Sequence, residues 1–193
     1  MARTRTFDTD QALESAMIVF WRKGYDGASM TDLTEAMDIN RPSLYAAFGN
    51  KQELFRRTLE RYAEVRSAYM RPALGQPTAR AVAEHVLRGA ADLQTDPATP
   101  AGCLAVHSSP TCAEDSSQIG RALIAFRHDG EAAIRERFER AQAEGDLPAD
   151  ADPATLADYI RTVVYGMAVK AASGSTREEL ERVIGLTMRA WPQ

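Results

Sequence analysis

The sequence predicts an all-α protein, with an N-terminal three-helix helix-turn-helix domain followed by a larger helical domain. Three observations carry this. Apolar residues recur at helical spacing in almost every periodic segment, and no run alternates as a half-buried strand does. Capping-box spacings stand before the first two helices. From about residue 72 the periodic segments lengthen and are separated by Pro/Gly breaks. Hydrophobic residues make up 45% of the 193, and charged residues 26%, as in a soluble globular protein with an ample core.

The first helix opens in "FDTDQALESAMIVFWRKGY". Asp8 is its N-cap with Gln11 three residues on, and Leu13, Ala16, Met17, Phe20 and Gly24 share a face. "KGYDG" ends it with glycines. "SMTD" then caps a second helix at Ser29, with Leu33, Ala36 and Met37 on one side. After "DIN", Pro42 takes a first-turn position where its missing N–H costs nothing. Leu44, Ala47 and Phe48 form the apolar side of a short third helix closed by "GN". "KQELFRRTLERYAEVRSAYM" is expected as one long amphipathic helix. "RPALGQP" and "TDPATPAG" are breaks, and "GCLAVHSSPTCAE" is expected to be a helix disturbed by Pro110. "SQIGRALIAFRHDGEAAIRERFERAQAEG", "ATLADYIRTVVYGMAVKAAS" and "TREELERVIGLTMRAW" are the remaining helices, with the loop "DLPADADP" after the first.

The net charge of −4 does not advertise a polyanion partner. Residues 1–66 hold ten Lys+Arg and ten Asp+Glu, so the excess acid lies in the rest. Any phosphate-facing surface must come from the placement of a few cations. No apolar run is long enough to cross a bilayer, so no membrane partner is expected. "MARTRTFDTD" lacks the apolar stretch of a secretory signal. Two cysteines nine residues apart make no disulfide framework, and a reducing cytoplasm is the expected compartment.

Two short helices joined by a tight turn make a helix-turn-helix unit whose second helix is sized for the major groove of double-stranded DNA. Leu44 and Phe48 pack that helix down, which frees Arg41, Pro42, Ser43, Tyr45, Ala46 and Gly49. Arg41 suits a guanine edge, Ser43 several edges or a phosphate, and Tyr45 a backbone oxygen. Ser29 and Thr31 at one helix start and Lys51 at another are candidate phosphate anchors. Arg3 and Arg5 are placed to reach a neighbouring groove from an N-terminal arm. Any three-helix start of a globular protein can show the same spacing.

At these residues a resemblance becomes specific. Positions 7–57, through "ALESAMIVFWRKGYDGASMTDLTEAMDINRPSLYAAFGNKQELF", resemble the DNA-binding domain of tetracycline-repressor-like (TetR/AcrR) regulators. "S-x-T-x-L", "SLYAAF" and "NKQELF" carry the match. The resemblance implies phosphate roles for Thr31, Tyr45 and Lys51 and base reading from Arg41 to Tyr45. It also implies a DNA-reading domain at 1–50 and a helical effector and dimerisation domain at 51–193. Asp38 departs from the pattern, at a turn position the family often fills with glycine. Aspartate tolerates left-handed backbone less well than glycine.

One helix-turn-helix reads too few base pairs to find a site, so a twofold dimer on a palindromic operator is expected. Its interface is expected on the last two helices: Ile160, Val163, Val164, Met167 and Ala171, with Leu180, Val183, Ile184 and Thr187. The resemblance implies a four-helix bundle there. These faces can equally pack within one subunit.

The effector is expected to be a small molecule or a redox agent, and no cofactor is expected. Tyr62, Tyr69, Phe126, Tyr165 and Met167 can line an apolar cavity or be plain core. Cys103 should lie in the first turn of a helix, where the dipole favours a thiolate, with His107 four residues on. Cys103 and Cys112 can be buried small hydrophobes. They can be sensors, since "GCL" with Cys112 and Lys170 beyond resembles a thiol-sensing branch of the family. With His107 they can also be metal ligands, though further hard ligands are not evident. A resting Cys103–Cys112 disulfide is not expected: a continuous helix would separate them by ~13 Å. Two other classes stay open, a small enzyme using Cys103 and His107 and a helical adaptor for protein partners.

Overall fold

The structure is a computed structural model that describes residues 7–108 and 118–192. Arg3, Arg5 and Cys112 lie outside the described residues. The elements run α1 (Thr9–Gly27), α2 (Met30–Ala36), α3 (Arg41–Phe48), α4 (Lys51–Val65), α5 (Met70–Leu74), α6 (Ala79–Gln94), α7 (Leu104–His107), α8 (Gln118–Ala143), α9 (Pro153–Ala172) and α10 (Arg177–Arg189). No strand occurs among the described residues.

Two cores organise these helices. The first gathers Ala16, Met17, Phe20 and Trp21 of α1, Leu33 of α2, Leu44 and Phe48 of α3, and Leu54, Phe55 and Tyr62 of α4. Leu104 and Ala105 of α7 and Leu123 of α8 close it, so the first core is roofed by helices from later in the chain. The second core packs α6, α8, α9 and α10, from Val82 and Leu87 through Phe138 and Ile160 to Ile184 and Trp191.

The caps follow the sequence. Asp8 accepts from the Asp10 and Gln11 amides, Ser29 and Asp32 form a reciprocal capping box, and Thr176 and Glu179 form another at α10. α1 breaks at Gly24, whose φ of +68° suits glycine. A Cβ there would stand 2.8 Å from the His107 carbonyl oxygen. The missing side chain is what lets α7 sit against α1.

Three expectations need correction. The helix from Lys51 stops at Val65, and residues 66–69 turn before α5. Packing ends it: the Tyr69 ring presses on Gly89, where a Cβ would come within 2.5 Å of ring carbon Cδ2. Ala36 is exposed, unlike Leu33 and Met37 beside it. The apolar faces expected at the dimer interface are instead subunit core. Ile160, Val164, Met167, Ala171, Leu180 and Ile184 are buried in the second core, Thr187 is buried too, and Val163 and Val183 are partly buried. α9 packs chiefly against α6 and α8 and spends its most apolar stripe within the subunit. What stays exposed is Tyr159, Val169 and Leu186, the last at 62%.

Candidate functional site

α3 is held by its own ends. The Asn40 side chain accepts from the Ser43 amide at 2.8 Å, Pro42 lies in the first turn, and Gly49 leaves the helix at φ +74°. Leu44 and Phe48 are fully buried. Phe48 lies under the Arg57 guanidinium, 5.9 Å from the ring centre, and Arg57 donates to the Ala47 carbonyl at 3.2 Å. The remaining arc faces outward: Arg41, Pro42, Tyr45, Ala46 and Gly49 are exposed, and Ser43 is half-buried. Tyr45, at 51% exposure, is a large aromatic spent on no core.

The turn before α3 is a Schellman motif. The Asp38 amide donates to the Glu35 carbonyl at 3.2 Å and the Ile39 amide to the Thr34 carbonyl at 3.1 Å. This places Asp38 at φ +51°, the left-handed position anticipated for a glycine.

At the start of α2 the Asp32 carboxylate already fills the local anion site. It accepts from the Ser29 amide at 2.9 Å and the Ser29 hydroxyl at 2.8 Å. Lys23 reaches it at 2.6 Å, and chiefly this bond lowers the Asp32 pKa to about 2. Ser29 is therefore committed to the cap. Thr31 is exposed and accepts a 3.0 Å hydrogen bond from Arg41 across the turn. At the start of α4, Asn50 caps the Glu53 amide at 2.9 Å. The Lys51 ammonium lies 4.4 Å from the Tyr25 ring centre. Burial pulls the Lys51 pKa down while Asp26 pulls it back. Thr31, Arg41, Tyr45 and Lys51 thus stand on the three short elements α2, α3 and the start of α4. Asn40, Asn50 and Lys23, which hold this surface, are missed by a reading that looks for contact residues rather than for caps.

Cys103 is half-buried and free, and it stands at the N-cap position of α7 rather than inside its first turn. The Tyr62 hydroxyl lies 3.5 Å from its Sγ. Tyr62 packs edge-on against Trp21 and lies 5.9 Å from Phe126 by ring centres, so two aromatics flank the thiol's neighbour. His107 points elsewhere. Its Nδ1 is bonded to the Trp21 carbonyl at 2.8 Å, fastening α7 to α1 instead of serving the thiol. Lys170 is exposed. Gly102 meets Ala168 and Ala172 of α9, which leaves Lys170 on the far side of that helix. Tyr165 lies deeper in the second domain, bonded to Arg161 at 2.6 Å. Among the described residues no group of three His, Cys, Asp or Glu is placed to hold a metal ion, and no helix is long and apolar enough to cross a membrane.

A short exposed helix braced by two others, carried on a larger helical body with its own core, defines a one-domain DNA reader coupled to a regulatory domain. The comparisons make the class specific. Residues 12–58 match the bacterial regulatory proteins of the tetR family, and residues 75–186 match the tetracyclin repressor-like C-terminal domain. The chain belongs to the TetR family.

The HTH-type transcriptional repressor ComR of Escherichia coli (strain K12) is 33% identical over 193 residues, 99% of this chain and 92% of that protein. The repressor BdcR of the same organism is 32% identical over 92% of this chain and 86% of its own. Among solved structures, a cysteine mutant of the TetR family transcriptional regulator CifR, complexed with 26 bp double-strand operator DNA, superposes with a TM-score of 0.93. It is 44% identical, covering 98% of this chain and 100% of that one. The protein is a DNA-binding transcriptional repressor that acts as a homodimer on double-stranded operator DNA.

Proposed function

We propose that α3 enters the major groove with Arg41, Pro42, Ser43 and Tyr45 toward base edges, while Thr31, Tyr45 and Lys51 hold phosphates. The observation that carries this is the two-sidedness of α3, with Leu44 and Phe48 fully buried opposite an exposed Tyr45. Arg41 must exchange Thr31 for a base edge on docking, and Thr31 is then free for a phosphate. Ser29 contributes by shaping the α2 terminus. Arg3 and Arg5 extend the contact into the neighbouring groove. Residues 1–50 read DNA in the cytoplasm, and residues 51–193 dimerise and receive the effector. α4 is the physical link, since its Leu54, Phe55 and Tyr62 pack in the DNA-side core.

Tyr45→Ala and Lys51→Ala should each weaken operator binding in a fluorescence-anisotropy titration without lowering the melting temperature. Undiminished binding by both would remove α3 and the α4 start from the interface.

The thiol reading rests on Cys103 beside Tyr62, whose ring touches both Trp21 of α1 and Phe126 of α8. A group added to Sγ must displace Tyr62 and so loosen the packing that fixes α1 against α4. CifR was solved on its operator with cysteines replaced, which supports a thiol dispensable for DNA binding itself. Cys103→Ser should keep operator affinity and abolish release by an electrophile such as N-ethylmaleimide. Unchanged release would sink the thiol as the trigger.

A further inference from the structure

α9 is apolar on its buried side except at one position. Arg161 falls four residues after buried Ala157 and three before buried Val164, and is itself only 6% exposed. Its Nη2 donates to the Tyr165 hydroxyl at 2.6 Å, and the guanidinium stands 4.7 Å from that ring's centre. Its Nε is buried with no hydrogen-bond partner. No ion pair neutralises it among the described residues. α8 approaches closely at Gly130, where a Cβ would come within 3.2 Å of Nη2. A buried guanidinium without a counter-charge strongly opposes folding, so its retention calls for an anion.

The surroundings suit one. Burial raises the Tyr69 pKa to about 12 and also raises that of Tyr165, with Arg161 pulling both back, so both phenols are neutral donors near the guanidinium. Next to Tyr165 lies a cavity of about 180 Å³ lined by Ile124, Arg127, His128 and Glu131. It has room for a small ring or short chain, and Glu131 at its wall disfavours a second negative charge.

We propose that the effector is a small organic monocarboxylate. Its carboxylate takes the free edge of Arg161 and bonds with Tyr69 and Tyr165, and its apolar part fills the cavity against Ile124. The guanidinium fork matches a carboxylate's two oxygens. The inference rests on the proposed role of residues 51–193 as the effector domain.

The test uses the full dimeric protein, with benzoate as probe and benzyl alcohol as its uncharged match. Millimolar benzoate should raise the melting temperature and weaken operator binding about tenfold, a typical allosteric coupling, and benzyl alcohol should do neither. Arg161→Met should remove the benzoate response while keeping operator affinity in its absence, and Tyr165→Phe should reduce the response. Wild-type protein that binds operator yet ignores benzoate, or answers both probes alike, overturns the proposal and leaves the regulator reading intact. A response undiminished in Arg161→Met overturns it as well, and if that variant does not fold, an undiminished response in Tyr165→Phe does so. Failure of the unliganded protein to bind operator would instead indict the reading of α3.

Discussion

Asp38 shows how a single residue can carry a family constraint imperfectly. Its φ of +51° is enforced by the two hydrogen bonds that close α2. Left-handed backbone costs a non-glycine residue roughly 1–2 kcal/mol, less for Asp, and glycine gives some of that back in unfolded-state entropy. Asp38→Gly should therefore raise stability by about 0.5–1 kcal/mol in urea denaturation; a loss would mean that the aspartate side chain makes a compensating interaction. Arg41 and Lys51 should differ in kind. Arg41→Ala should cost about 1–3 kcal/mol of operator affinity and relax discrimination at one base pair. Lys51→Ala should weaken all sequences alike and reduce the salt slope by about 1. A binding series against mutated operators at several salt concentrations separates the two. Arg161 was legible only in hindsight: a lone arginine on an otherwise apolar stripe is a visible signal, but sequence alone does not tell a buried arginine from one that reaches solvent along its stem.

At the scale of the element, the helix-turn-helix was readable because its instructions are local. Ser29, Asn40 and Asn50 cap three successive helices with side-chain oxygens, and Leu44 and Phe48 set the one buried side of α3. Leu44→Ala should cost about 2–5 kcal/mol and abolish operator binding together with folding. The caps also predict an acid limb. Asp32 falls from an ordinary 3.8 to about 2, chiefly through Lys23, and Glu53 from 4.5 to about 2, chiefly through Arg56. Carboxylates whose pKa is lower in the folded state stabilise it above their ordinary values, and lose that contribution as pH falls through the folded ones. The melting temperature should drop between about pH 4.5 and 2, and less steeply in Asp32→Asn; an unaltered slope would mean the Lys23–Asp32 pair is not felt in solution. The break after Val65 was not legible, because it answers to a distant glycine, Gly89, that makes room for Tyr69. The same holds for His107, whose partner is a carbonyl of α1, 86 residues away in sequence.

For the whole molecule, the apolar stripes that the sequence assigns to the dimer interface are taken up by the subunit's own core. Periodicity marks an apolar stripe without saying whether it meets α6 and α8 or another subunit. The exposed sides of α9 and α10 offer Tyr159, Val169 and Leu186, and Gly166 and Gly185 leave open space where a Cβ would sit, as close helix approach requires. Leu186→Glu should convert the dimer to a folded monomer by sedimentation and remove operator binding, whereas Ile184→Ala should destabilise the subunit itself, because Ile184 is core. A Leu186→Glu protein that stays dimeric would move the interface off this face. The coupling of the two domains has a physical carrier in α7 and α8, whose Leu104, Ala105 and Leu123 belong to the DNA-side core. Effector binding or thiol modification near Tyr62 and Tyr165, as proposed above, would act on helices that also support α1 and α4.

The central claim is that two copies of α3, held at fixed spacing by the C-terminal domains, read an operator. Footprinting the protein at near-physiological salt on the DNA upstream of its own gene tests it most directly. Two protected half-sites about one helical turn apart, both lost in Tyr45→Ala, are the predicted result. Weak protection that ignores sequence and vanishes as salt rises, unchanged in Tyr45→Ala, would contradict it.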